Sequence, residues 1–204
     1  MNVIQTAWQK YRARKSTLGI VTDFLFLVIV LVFVIPPLRF GATVQIARLT
    51  LHEPNTIDDI YYLGEDKTLT LKNISGADTT ILRQTDRPVI INFGCVTNPQ
   101  SCAELKSLNK LSAGFAGRLD VYFITDDDTA AVRRYFGRHR YTIKPLFYEP
   151  QYFDANDHEL FHELQASLPA SLLIAPNRRI VIKKFGAAKW TGKNIEAIVD
   201  SVAR

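Results

Sequence analysis

Two cysteines, Cys95 and Cys102, are all the sulfur nucleophiles in 204 residues, and they stand seven apart. That excludes a disulfide-stapled scaffold and leaves no Cys-x-x-Cys pair for a zinc ribbon or a conventional dithiol. Histidine is equally thin. His52, His139, His158 and His162 are dispersed, and the i, i+4 pair His158/His162 has no acidic or cysteine partner motif, which reads as a solvated helix face with no metal. No internal repeat or low-complexity tract is present, and no basic stripe interleaved with aromatics accompanies the net charge of +5. Basic residues instead fall in separate groups: Lys10 to Lys15, Arg133 to Arg140 and Arg178 to Lys184. Nucleic acid is therefore not an expected partner, and no cofactor is called for.

One long apolar run is present. Phe24 to Leu38 (FLFLVIVLVFVIPPL) carries no charge, and extended back to Leu18 it approaches the roughly 20 residues a bilayer demands. Residues 18–40 read as one transmembrane helix, weakened near its far end by Pro36 and Pro37, with Asp23 towards its inner edge. Lys10, Arg12, Arg14 and Lys15 precede the span and only Arg39 and Arg48 follow closely, so the positive-inside rule keeps 1–17 cytoplasmic. A cleaved secretory signal has the same outline, but Phe40-Gly41-Ala42 and Gln45-Ile46-Ala47 fit a cleavage site poorly. Either reading sends the remainder to an extracytoplasmic, periplasm-like space, with the anchor reading making the chain a single-pass inner-membrane protein.

Residues 41–65 read as a connector with a short interfacial helix at 44–51, and residues 66–204 as one α/β domain. Thr68–Lys72 and Thr79–Arg83 flank turn residues and predict a hairpin. Val89–Phe93 (VIINF) and Leu119–Ile124 are apolar runs of the kind found in strands buried on both faces. Pro99–Phe115 has Leu105, Leu108 and Leu111 at helical spacing. Asp128–Gly137 and Asp157–Gln165 read as helices, Tyr141–Tyr148 as a short strand or loop. Ser171–Ala175 and Ile180–Phe185 read as strands about a Pro176-Asn177-Arg178 turn, and Gly192–Val202 as a closing helix. Trp190 and Phe185 are expected to be core or packing residues.

Three segments carry a resemblance. RPVIINFGCVTNPQSCAELKSLNKL, from Arg87 to Leu111, resembles the strand, active-site loop and first helix of TlpA-type membrane-anchored thioredoxins. Leu168-Pro169-Ala170-Ser171 resembles the cis-proline loop of that fold, and GAAKWTG from Gly186 to Gly192 the turn before its last helix. The resemblance implies a thioredoxin fold, a central mixed sheet flanked by helices, and thiol-disulfide exchange in envelope protein maturation. Its Cys-x-x-Cys, however, falls on Asn98-Pro99-Gln100-Ser101. The loop also resembles copper chaperones of the SCO type, which would put their second cysteine on Cys102. It resembles iodothyronine deiodinases in RP-x-x-x-NFG-x-x-T-x-P, with Asn98 at their selenocysteine.

A neutral amide is no nucleophile, but Asn98 before Pro99 is a strong helix N-cap signal, so the loop keeps its shape without its sulfur. Remaining thiol chemistry would use Cys102, near the dipole of the helix N-terminus, with Cys95 resolving. Cys102 also reads as a small buried residue, and a Cys95–Cys102 disulfide stays open. Asn98, Pro99, Leu168 and Pro169 outline a groove for an extended peptide or a protein thiol or disulfide. The chain is thus either a redox protein or a binding module that keeps the groove alone. Asp126, Asp127 and Asp128 are expected to finish a strand and cap the next helix.

Overall fold

The computed structural model describes residue 11 and residues 15–64, 67–83, 86–148 and 159–203. Lys10, Arg12, Arg14, Pro150, Asp157 and His158 lie outside the described residues. The chain divides into two compact units, Met1–Thr43 and Val44–Arg204.

In the first unit, helix α1 (Thr17–Val34) starts where Ser16 accepts a hydrogen bond from the Gly19 amide at 3.2 Å. At about 1.5 Å per residue it is about 27 Å long, close to a bilayer's hydrocarbon core. Its mean hydropathy is 2.7 and none of it is buried, so it is long and apolar enough to cross a membrane. Tyr11 and Lys15 both donate to the carboxylate of Asp23. Ile35 is extended because the ring of Pro36 crowds the residue before it, and helix α2 (Pro36–Thr50) restarts with proline in its first turn. The two prolines thus end one helix and open another, so the helix expected at 44–51 begins eight residues earlier.

The second unit is built on an eight-stranded sheet. Its strands are β1 (Tyr61–Tyr62), β2 (Leu69–Asn73), β3 (Asp78–Ile81), β4 (Val89–Phe93), β5 (Asp120–Thr125), β6 (Lys144–Phe147), β7 (Ala170–Ile174) and β8 (Arg179–Phe185). They lie in the order β1-β8-β7-β4-β5-β6-β2-β3. Strands β4, β5 and β6 are parallel, joined by helices α3 (Pro99–Gly114) and α4 (Thr129–His139). Helix α5 (Glu159–Ala166) leads back to β7, antiparallel to β4, and the β7–β8 hairpin ends in α6 (Lys193–Val202). Strand β1 falls in the segment read as connector. Two residues carry no period, and Tyr61 and Tyr62 become a strand only by pairing with Ile180 and Arg179.

Alternation along the central strands divides the core. Val89, Ile91 and Phe93 of β4 join Ala170, Leu172, Ile174, Ile124, Phe161 and Leu164 on the α5 side. Ile90 and Asn92 point the other way, towards the side where Phe136 of α4 packs on Phe123, with ring centroids 5.6 Å apart. Burial on both faces is why VIINF reads as an unbroken apolar run. Trp190 is fully buried as expected, whereas Phe185 is 38% exposed. Phe185 ends β8 at the sheet rim, where the Lys183 ammonium lies 5.0 Å from its ring centre, so it is a packing residue and not a core one.

Candidate functional site

The loop between β4 and α3 leaves the carboxyl end of the central parallel strand, where α/β sheets hold their chemistry. Gly94 opens it. A Cβ there would lie 2.9 Å from the Phe123 ring and 3.0 Å from Ser101 Oγ, so only glycine lets the chain pass. The Cys95 amide donates to Ser101 Oγ at 3.2 Å, and the Val96 amide to Asp127 Oδ2 at 2.5 Å. Asn98 then caps α3, its Oδ1 accepting from the Gln100 amide at 2.8 Å, with Pro99 in the first helical position. Among the acids after β5, Asp128 caps α4 by accepting from the Ala131 amide at 2.9 Å, while Asp127 holds the loop of the neighbouring strand.

Both thiols are free. Cys102 is fully buried on the inner face of α3, and its Sγ–H donates to the Val96 carbonyl at 3.2 Å. Burial pushes its thiol up to about 11, against the opposing hydrogen bond from Tyr135. Thiolate character is therefore suppressed there, whatever the nearby helix dipole contributes. Cys95 is partly exposed.

The Leu168–Pro169 bond is cis. Because Phe93 of β4 pairs with Ala170 of β7, Gly94–Cys95 and Pro169 emerge from the same end of adjacent strands. The loop and the cis-proline are thereby brought to one rim of the sheet. Pro169 itself is buried, with its carbonyl accepting from the Gly186 amide at 2.8 Å, while Leu168, Asn98 and Pro99 stay partly exposed. His52, His139 and His162 remain dispersed. No group of three metal-ligating side chains occurs among the described residues.

Directly beneath this rim lies a residue that sequence reading passed over. Glu104 is fully buried with no cation beside it. Its Oε1 accepts from Trp190 Nε1 at 2.6 Å, Ser171 Oγ at 3.2 Å and the Ala188 amide at 3.3 Å, and its Oε2 from Asn92 Nδ2 at 3.0 Å. Asn92 Nδ2 also donates to Ser171 Oγ at 2.8 Å. Burial pushes the carboxyl up to about 7, against these hydrogen bonds. Glu104 therefore joins β4, α3, β7 and the segment after β8 at one point. A signal was available: Ser101, Glu104, Leu105, Leu108 and Leu111 form one helical stripe, and an acid on an apolar stripe needs buried donors.

A parallel β4–α3–β5 core, a capped helix at its carboxyl end, a cis-proline before an antiparallel strand and a terminal hairpin–helix together decide the architecture. The chain has a thioredoxin fold. No protein-family model and no curated protein matches the sequence. Solved structures agree on the fold. The thioredoxin domain of a thiol-disulfide oxidoreductase from Bacteroides vulgatus superposes with a TM-score of 0.54 at 13% identity, over 71% of this chain and 99% of that one. A Chlorobium tepidum protein described as thiol:disulfide interchange protein DsbE gives 0.56 at 13%, over 76% and 100%. A second Bacteroides vulgatus oxidoreductase gives 0.51 at 17%, over 69% and 97%. At these identities the likeness is one of fold. Asn98 and Ser101, on which the resemblance places its dithiol, stand at the cap and in the first turn of α3, with Ser101 fully buried.

Proposed function

We propose that the chain is a membrane-anchored, extracytoplasmic thioredoxin-fold protein that binds extended segments of envelope proteins during their maturation, without Cys-x-x-Cys chemistry. The anchor is α1, with residues 1–17 cytoplasmic and the Val44–Arg204 unit on the far side. The groove runs along Asn98, Pro99, Leu168 and the cis-Pro169. The observation that carries this reading is the helix cap. Asn98 holds α3 through the Gln100 amide, so the loop keeps its geometry with no cysteine at the helix cap. Cys102, the nearest thiol in the helix, has its proton held on by burial.

A second reading, thiol-disulfide exchange, draws support from two free thiols one loop apart, of which Cys95 is partly exposed. In it one thiolate of the pair attacks a partner disulfide and releases one partner thiol. The other cysteine then attacks the mixed disulfide, forming Cys95–Cys102 and releasing the second partner thiol. Sequence position favours Cys102 as the attacking group, whereas exposure favours Cys95.

The two readings separate in an insulin-reduction assay on the full chain in detergent. The binding-module reading expects no exchange above background from the wild type, no change in Cys102→Ser or Cys95→Ser, and a gain of exchange in the Asn98→Cys/Ser101→Cys variant. Wild-type turnover that disappears in Cys102→Ser or Cys95→Ser refutes the binding-module reading and establishes the redox pair.

A further inference from the structure

The arginine group at Arg133–Arg140 found no role in the groove, and its surroundings give it one. Helix α4 reads TAAVRRYFGRH and contains no acid, and the one acid of α3, Glu104, is buried. The outward faces of these helices therefore present Lys106, Lys110, Arg134, Arg138 and the helix-ending Arg140, all exposed, and neither helix carries an exposed carboxylate. None of the five forms an ion pair among the described residues. The helices are fastened side by side, since Asn109 Oδ1 of α3 accepts from the Thr142 amide just after α4 at 2.6 Å.

The same face has an apolar margin. On α2, Val44 is buried and the charge of Arg48 acts on the hydroxyls of Tyr135 and Tyr141, which places this end of α2 beside the end of α4. Ile46 and Leu49, three apart and so on the other face of α2, are 62% and 87% exposed. Cations beside exposed large aliphatic groups are the composition that binds an anionic lipid–water interface, where charge attracts headgroups and apolar groups enter the acyl boundary. An acidic protein would explain the cations but leave Ile46 and Leu49 without purpose.

We propose that the α3–α4 face, bordered by Ile46 and Leu49, docks on a bilayer surface of anionic phospholipid. This rests on the reading of α1 as a retained anchor, which keeps the domain at high effective concentration near such a surface, so that weak individual contacts suffice. Each cation near an anionic surface contributes on the order of a fivefold bias, so removing three lowers the docked-to-undocked ratio about a hundredfold.

The test uses the full chain in lipid nanodiscs with a fluorescent amino acid at Gly137, where nothing lies within 4 Å of an added Cβ, and an acceptor dye on lipid headgroups. Energy transfer should rise in discs rich in phosphatidylglycerol over pure phosphatidylcholine discs. The rise should vanish at high ionic strength and in Arg134→Gln/Arg138→Gln/Arg140→Gln, whose circular dichroism reports folding. Equal transfer in both disc types overturns the proposal, as does an anionic-lipid response that survives the triple substitution. Capture of poly-glutamate with equal transfer in both discs assigns the face to an acidic protein and also overturns it. Co-elution of protein with discs of either type reports the anchor separately, so loss of co-elution tells against α1 as an anchor and equal transfer against the docking.

Discussion

Replacing Glu104 by glutamine should change how stability depends on pH more than it changes stability itself. The carboxyl moves from 4.5 to about 7 on folding because it is fully buried, with burial outweighing the donors around it. A shift of that size corresponds to about 3 kcal/mol. An acid whose folded pKa is raised binds its proton more tightly in the native state than in the unfolded one. Between pH 4.5 and about 7 the native protein therefore holds the extra proton, and stability falls as pH rises across that window before levelling above it. Wild type should accordingly lose about 3 kcal/mol from pH 4.5 to pH 8 through this group.

Glutamine keeps one acceptor oxygen for Trp190, Ser171 and Ala188 and puts an amide where Oε2 accepted from Asn92. Asn92 can answer by turning its own amide, because its Oδ1 is a buried acceptor with no partner among the described residues. Turning it leaves Nδ2 without an acceptor, at a cost of about 1–2 kcal/mol. Glu104→Gln should thus be level across the window, less stable than wild type near pH 5 and equal or more stable at pH 8. Urea unfolding of the full chain in mild detergent, followed by Trp190 fluorescence in a Trp8→Phe background, measures this. A wild-type curve that is flat from pH 4.5 to 7, or a glutamine variant that keeps the wild-type slope, refutes the assignment of the proton to Glu104.

Asn98→Ala removes the side-chain acceptor of the Gln100 amide and should cost about 1 kcal/mol in the same unfolding assay, while leaving thiol reactivity unchanged. Gly94→Ala drives a methyl to within 2.9 Å of the Phe123 ring and should cost about 1–3 kcal/mol, more than an alanine at Gly137, where there is open space. Arg178 donates to the carbonyls of Leu63, Leu82, Gly64 and Lys67, so Arg178→Ala should cost about 3 kcal/mol and free the β1 edge, read as faster amide exchange at Leu63. Maleimide should label Cys95 in the native protein and Cys102 only after unfolding, because one thiol is partly exposed and the other is buried and protonated.

What was legible in the sequence followed the range of the interaction responsible. Strand β4 and helix α3 fall where the VIINF run and the Asn98-Pro99 pair put them, because burial on both faces and an N-cap followed by proline are written in adjacent residues. Strand β1 was invisible because its pairing energy lies in Arg179 and Ile180, more than a hundred residues away. For Phe185 composition leaves core and packing open, and only the end of an edge-proximal strand decides for a ring at the rim.

The site divides along the same line. Asn98 is a local device, and its capping role could be read from three residues. Glu104 is not, because its meaning depends on donors from β4, β7 and the loop after β8 arriving at one carboxylate. An acid on an apolar helical stripe announces that such donors exist without naming them. That asymmetry bears on what the fold has kept. At the helix cap the hydrogen bond that orders the loop comes from asparagine, so the cap needs no thiol. Losing Glu104 would leave Trp190, Asn92, Ser171 and the Ala188 amide short of an acceptor together, in a region that holds the cis-proline strand against the capped helix. What these four donors require is an acceptor at residue 104, which a carboxyl or an amide supplies and an apolar side chain does not.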